Sequence, residues 1–242
     1  MSKATDSAVA KAEDARRIQE AAAAVGAQQL REALGPSCPI GDIQAIRFMT
    51  SNRADVGKAV KHYREFLEWR QKDRVDEVLQ EAPYPPAVEA ALVSGYNPVL
   101  IEGLDVRARP VMLIDLSHLD VPALRRQGVS LAMLVRRHVR AMEELVRAID
   151  RAPNPYAGHL LLLDIGGCTA GKFLHAYSFW RELARLGQRC YPECLGGLAM
   201  LRGGGAAAWA VGKVKAFLDP ETSAKIQLHD TEHTAHALVS NL

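Results

Sequence analysis

The 242 residues, 48% hydrophobic and 24% charged, suffice for one large or two small domains with a substantial core. Thirty basic against 28 acidic side chains leave a net charge of +2, too weak a field for a polyanion-binding protein and an argument against a nucleic-acid partner. No apolar run approaches the roughly 18–20 residues of a membrane span, and the N-terminus lacks the apolar core of a secretory signal. Cys38, Cys168, Cys190 and Cys194 have no CxxC spacing, so they read as reduced thiols of a cytosolic protein.

Residues 1–34 are rich in Ala, Glu, Gln and Arg, which predicts a helix ended by Gly35-Pro36. Asp42 is placed to cap a short helix from Ile43 to Met49. A second helix starts near Asp55, with Val56, Val60, Tyr63, Phe66, Leu67 and Arg70 on one face. Asp76 is placed to cap a third, short one through Leu79. The period then changes: Pro98–Ile101 and Pro110–Asp115 read as strands separated by a polar turn, Gly103 to Arg109. Residues 128–150 form the clearest amphipathic helix, with Leu131, Leu134, Val135, His138, Met142, Leu145, Val146 and Ile149 on one side. A single histidine such as His138 on an apolar face is more often core than ligand. Leu160–Asp164 is a continuous apolar strand, followed by a helix from Lys172 to Leu186 and a buried strand from Gly196 to Leu201.

Gly203, Gly204 and Gly205 stop that strand. Ala207, Val211, Val214 and Leu218 then recur at helical spacing until Asp219-Pro220 ends the pattern. The order strand, glycine hinge, helix 206–218, short strand fits a mobile helix covering an apolar cavity. Strands alternating with helices predict an α/β fold with a mainly parallel sheet.

Several segments in this order resemble the CRAL-TRIO family, the Sec-fourteen-like lipid-transfer proteins. They are IRFMTSNRADVGKAVKHYREFLEWR at Ile46–Arg70, GLDVRARPVMLIDL at Gly103–Leu116, LLLLDIGG at Leu160–Gly167, YPE at Tyr191–Glu193 and FLDPETSAKI at Phe217–Ile226. The resemblance implies an N-terminal extension (1–38), a helical module (39–95), a lipid-binding lobe (96–230) whose sheet floors a hydrophobic pocket under a gating helix, and a C-terminal tail (231–242). It implies a non-enzymatic monomer without metal or cofactor, holding one lipid and meeting membranes transiently from the cytoplasm. The pocket would be lined by Val111, Leu113, Leu161, Leu163, Leu198, Met200, Val211, Val214 and Phe217.

The phosphatidylinositol-binding positions of the family fall on Asn52, Glu193, Thr222 and Lys225. The last three keep the expected residue type, while Asn52 replaces an arginine that neighbouring Arg53 could substitute. The phosphatidylcholine positions carry His159, Leu161 and Met112, so an inositol phospholipid is the expected cargo. The family's Asn-Ala-Pro before the gate is Arg202-Gly203-Gly204, and its gate phenylalanines are Ala207, Val211 and Val214.

Rival motifs remain. Gly166–Lys172 fits GxxxxGK after a strand and before a helix, the setting of a nucleotide-binding loop, but Phe173 stands where a metal-binding hydroxyl belongs. A scaffold that keeps the fold without transfer activity is a further alternative. His229–His233 spells HxxEH, with His236 beyond, but a polar C-terminal tail is the better reading. Arg125, Arg126, Arg136, Arg137 and Arg140 read as headgroup contacts or as a solvated helix face partly neutralised by Glu143 and Glu144. Trp209 and Lys213 suit either a membrane interface or a core anchor.

Overall fold

The computed structural model describes residues 23–38, 40–202 and 226–229, the last four as backbone. The chain divides into two compact units, Met1–Lys72 and Asp73–Leu242. The first is helical, with α1 over residues 23–34, α2 at Asp42–Ser51 and α3 at Val56–Lys72. Gly35, at φ +78°, ends α1 with its N–H on the Arg31 carbonyl at 3.0 Å. Asp42 lies inside the first turn of α2 rather than capping it, because Gly41 takes the N-cap position. Asp55 does precede α3, and its Oδ1 accepts the Lys58 N–H at 3.0 Å. The core of this unit is aromatic: Phe48 meets His62, Tyr63 and Phe66 at centroid distances of 4.8, 5.1 and 5.3 Å.

The second unit opens with a 3₁₀ turn, Val75–Glu77, where Arg74 rather than Asp76 holds the N-cap position. Helix α4, Pro86–Gly95, follows; its proline sits in the first turn, where the missing N–H costs nothing. Strands β1 (Val99–Leu104), β2 (Pro110–Asp115), β3 (His159–Asp164), β4 (Leu195–Leu201) and β5 (Ile226–His229) form one sheet in that spatial order. The first pair is antiparallel and the rest parallel, as the alternation of strands and helices predicts. Strand β1 extends to Leu104, into the stretch read as a turn.

Between β2 and β3 run α5 (Val121–Arg126), capped by Asp120, and α6 (Leu131–Arg151), capped by Ser130. The apolar stripe of α6 is buried at Leu134, His138, Met142, Leu145 and Ile149. The single helix expected at 172–186 is two, α7 (Ala170–His175) and α8 (Tyr177–Cys190), which meet at the buried Ala176. Phe173 on α7 and Phe179 on α8 are both buried.

Register sorts the sheet into two faces. Val111, Leu160, Leu162, Ala199 and Leu201 form a buried cluster on one face, with Ile101 and Leu113 beside it. Among the described residues this cluster is made of strand side chains alone. Helices α6 and α8 touch each other, and α6 packs on β1 and β2. His138 of α6 lies near His159, which shares the opposite face with Leu161 and Leu163.

A buried ion pair fixes the other end of the sheet. Asp105 accepts from the backbone N–H groups of Arg107 and Arg109 at 2.9 Å each. It also accepts from Arg109 Nε and Nη2 at 2.8 and 2.6 Å. Burial pushes the Asp105 carboxyl up, but these bonds and the guanidinium charge outweigh it and hold the group below the usual range. The guanidinium lies against β4, where Nη1 is 3.1 Å from the position a Cβ would take on Gly196 or Gly197. The two glycines in an otherwise apolar strand are therefore the space that the arginine fills.

His138 is a core residue. It accepts the Tyr96 hydroxyl proton at Nδ1 over 2.8 Å, and Tyr96 packs edge-on against Phe179 with centroids 4.8 Å apart. Burial, with the nearby His159, pulls its pKa down to about 4, so the ring is neutral near pH 7.

Two predictions follow from this packing, both read by urea denaturation. A Cβ on Gly196 would sit 1.9 Å from the Ala157 carbonyl oxygen, whereas one on Gly187 meets nothing within 4 Å. Gly196→Ala should therefore cost about 3 kcal/mol or more, while Gly187→Ala, in the interior of α8, should gain roughly 0.5–1 kcal/mol. For His138, a folded pKa near 4 below an unfolded value of 6.5 means that the unfolded chain binds the extra proton. Its contribution, at most on the order of 3 kcal/mol, is complete above pH 6.5 and is lost as pH falls toward 4. His138→Gln should flatten that part of the stability profile.

Candidate functional site

The two faces of the sheet divide the apolar residues singled out above. Val111 and Leu113 belong to the strand-only cluster, whereas Leu161, Leu163, Leu198 and Met200 share the opposite face with Met112 and Ile114. On that second face Met112, Ile114, Leu198 and Met200 are at most 7% exposed. Leu161 and Leu163 lie between them on the middle strand, yet they keep solvent-accessible surface. A central-strand leucine flanked on both sides is ordinarily the most buried residue of a sheet. Leu161 and Leu163 are thus less covered than their leucine, isoleucine and methionine neighbours on this face. Register also adds Met112 and Ile114 to this face, which pattern reading did not group with them.

A polar cluster closes the C-terminal edge of the same strands. Asp115 and Asp164 stand side by side in register on β2 and β3. Arg202, the residue after β4, grips Asp164, with Nε at 2.8 and 2.9 Å from its two oxygens and Nη2 at 2.7 Å from one of them. Arg202 holds a left-handed φ of 55° to do so, and a Cβ on Gly166 would come within 2.8 Å of its Cζ. The left-handed backbone costs roughly 1–2 kcal/mol, about what a well-formed half-exposed ion pair returns. Burial opposes ionisation of Asp115, but hydrogen bonds from Ser117 and the charges of His118 and Arg202 hold its carboxyl below the usual range. The sequence signal for this cluster is an aspartate ending one strand and an arginine following its neighbour.

The nucleotide-loop reading meets the same cluster. The Gly166 N–H donates to Asp164 Oδ1 at 2.9 Å, the Thr169 hydroxyl caps α7, and Lys172 Nζ donates to the Ser117 carbonyl at 3.1 Å. The Gly166 N–H and the Lys172 ammonium, two donors that would meet a phosphate, already hold protein oxygens, and the guanidinium of Arg202 lies over Gly166.

Of the headgroup positions, Glu193 sits at the turn between α8 and β4 with φ 57° and is half-buried. Its neighbours are pinned: the Tyr191 hydroxyl donates to Glu143 Oε1 at 3.0 Å, and the Cys194 carbonyl accepts His159 N–H at 2.8 Å and His159 Nδ1–H at 2.6 Å. Asn52 and Arg53 belong to the other unit. Asn52 Nδ2 donates to the Phe48 carbonyl at 2.8 Å, closing α2, and Arg53 is exposed in a left-handed turn. Thr222, Lys225, Val211, Val214, Phe217, the glycines Gly203, Gly204 and Gly205, Trp209 and Lys213 lie outside the described residues, as does the expected gating helix. His229 ends strand β5, so it does not share a helical face with His233 and His236.

The α6 arginines are engaged within their own unit. Arg136 pairs with Glu81 and donates to the Asp73 and Arg74 carbonyls at 2.6 and 3.0 Å; Arg137 reaches Glu89 and Asn97, each at 2.7 Å. Arg140 lies near Glu144 at 3.8 Å and reaches carbonyls of the 78–81 stretch. These contacts tie α6 to α4 and to the chain on either side of it, with Glu81 and Glu89 as carboxylate partners. Cys190 and Cys194 are buried, and burial pushes the Cys190 thiol up to about 12. No described helix is long and apolar enough to cross a membrane.

A family model described as the CRAL/TRIO domain matches residues 95–241. Over 80% of its length the chain is 27% identical to an Arabidopsis thaliana protein named phosphatidylinositol/phosphatidylcholine transfer protein SFH9, covering 34% of it. Over 82% it is 27% identical to the SEC14 cytosolic factor of Kluyveromyces lactis, covering 66%. Over 81% it is 28% identical to Protein real-time of Drosophila melanogaster, covering 30%. The chain thus spans between about a third and two thirds of these curated relatives. A crystal structure of Sfh5 superposes with a TM-score of 0.67 at 13% identity, covering 81% of this chain and 66% of that one, a likeness of fold.

The engaged donors of the 166–172 loop predict that ATP with Mg²⁺ at millimolar concentration shifts the melting temperature of neither the wild type nor Lys172→Ala. A shift in the wild type that the variant loses would restore the nucleotide reading.

Proposed function

The chain belongs to the CRAL/TRIO domain family, and from that premise we propose that it binds a single lipid over the Leu161 and Leu163 face of its sheet and carries or presents that lipid at membranes. The observation that supports this reading is the incomplete cover of Leu161 and Leu163 between buried neighbours. Packed apolar cores fill such space with side chains. An acyl chain filling it gains about 0.8 kcal/mol for each CH₂ removed from water, enough for tight binding without covalent chemistry.

Topology adds to the argument. Strands β4 and β5 are parallel neighbours, and the glycine run and apolar helical spacing read from the sequence lie between them in the chain. That stretch is the proposed cover. In this reading Leu161, Leu163, Leu198 and Met200 form the floor, with Met112 and Ile114 added and Val111 and Leu113 serving the opposite face. Val211, Val214 and Phe217 belong to the cover, and Gly203, Gly204 and Gly205 to its hinge.

The headgroup assignment is the finer part of the proposal. Glu193, Thr222 and Lys225 offer a carboxylate, a hydroxyl and a cation, a set suited to an inositol phosphate. Asn52 is committed to its own helix and is not counted in that set. The protein acts as a carrier that meets the membrane peripherally from the cytoplasm.

Native mass spectrometry of the purified protein should find one phospholipid per chain, and the absence of any bound lipid would overturn the reading. Leu161→Trp, which fills the space over this face, should reduce that occupancy at least tenfold while leaving the fold intact by circular dichroism. In vesicle-to-vesicle assays Lys225→Ala should slow transfer of phosphatidylinositol more than that of phosphatidylcholine; equal losses would remove the inositol assignment.

A further inference from the structure

The junction of α7 and α8 sends apolar side chains outward. Phe173, Ala176 and Phe179 are buried, whereas Leu174 and Tyr177 between them are 57% and 42% exposed. Ser178 and Arg181 continue the same exposed stripe at helical spacing. Helices α5 and α6, by contrast, expose no large apolar side chain. This knuckle is held in place from within. The Thr169 hydroxyl caps α7 by accepting the Lys172 N–H at 3.2 Å, and the buried Phe173 stacks on Trp180 with centroids 6.2 Å apart at 21°. Its charge is of one sign. Lys172, His175 and Arg181 lie between Asp164 and Glu182 with no carboxylate among them, and Glu182 pairs with Arg185. The Lys172 ammonium holds the Ser117 carbonyl, which leaves its charge uncancelled.

We propose that this knuckle is the surface through which the protein docks on a bilayer containing anionic phospholipid. The proposal deepens the lipid-carrier reading and rests on it for the choice of partner. An exposed apolar pair in a soluble unit marks a surface that meets something, and the cations around it select a negative one. A leucine can sink among acyl chains while a tyrosine stays at headgroup level, its ring apolar and its hydroxyl wet. Each nearby cation adds attraction to an anionic surface that fades within a Debye length. Arg136 and Arg137 of α6 offer no such surplus, because Glu81 and Glu89 already pair with them. The knuckle also stands where a carrier needs it. Lys172 reaches Ser117, just after β2, and Arg202, just after β4, lies over Gly166, just after β3. Helix α7 therefore starts at the edge of the sheet from which the chain leaves β4, and docking there brings that point to the membrane.

The test is co-sedimentation with vesicles of phosphatidylcholine alone and of phosphatidylcholine mixed with phosphatidylserine. The wild type should bind the mixed vesicles more tightly, and Leu174→Ser should weaken that binding about tenfold. Arg181→Glu should weaken it roughly fivefold to tenfold on mixed vesicles and leave binding to phosphatidylcholine alone unchanged. Val106→Ser, which removes an exposed apolar side chain beyond β1, is the control and should bind as the wild type does. All four proteins should carry the same lipid by native mass spectrometry, since the knuckle contributes neither to the pocket floor nor to the headgroup set. Failure of the wild type to bind mixed vesicles, undiminished binding by Leu174→Ser and Arg181→Glu, or an equal loss in Val106→Ser would overturn the proposal and leave the carrier reading standing. So would self-association of the wild type that Leu174→Ser abolishes while vesicle binding persists. Vesicle binding that follows the knuckle in a protein holding no lipid would instead remove the carrier reading and keep the docking surface.

Discussion

The sheet of the second unit depends on one buried charge. Arg109 leaves the β1–β2 turn and lies against the glycines of β4, and it can do so only because Asp105 meets it with both oxygens engaged. A guanidinium in that position without its carboxylate would be an uncompensated buried charge, costing several kcal/mol. The pair therefore ties the antiparallel edge of the sheet to its fourth strand. With that end fixed, register carries leucine, methionine and isoleucine to a common face along three parallel strands. The opposite, C-terminal end is held differently, by the more exposed grip of Arg202 on Asp164. One end of the sheet is welded and the other is buttoned.

That asymmetry agrees with a carrier. The welded end carries the charge pair and the Tyr96–His138 bond in the helix layer, both buried and both satisfied. The buttoned end is where the chain leaves β4, through a residue in left-handed geometry whose ion pair returns about what its backbone costs. Departure from that arrangement meets little resistance there, whereas at the other end it would expose a charge. A protein that must admit a large apolar ligand without unfolding needs its stability distributed in this way.

Much of this was legible in the sequence, and the failures have physical causes. The α6 stripe, the apolar run of β3 and the strand–helix alternation gave element type and sheet direction, because periodicity follows directly from which face is buried. The split of the 172–186 helix escaped notice because Ala176 sits comfortably in either a helix or a turn. Strand β1 ran further than expected, since Glu102 and Gly103 look like turn residues when the partner strand that pairs them is unknown. The division of the apolar strand residues between the two faces escaped pattern for the same reason. Val111 and Leu161 are equally apolar, and only the register between β2 and β3 shows that they point to opposite sides.

Strand β1 carries a consequence of its own. It is the outermost ribbon, with Val99 44%, Leu100 37% and Leu104 38% exposed, and Val106 beyond it is 80% exposed. An unguarded rim of this kind offers amide and carbonyl groups to any extended peptide that drifts alongside. The irregularity between Ile101 and Leu104 and the charge of Glu102 interrupt the ladder halfway, so a docking peptide would find only a short run to zip onto. An irregular, charged edge of this kind disfavours the strand-to-strand pairing that leads to aggregation.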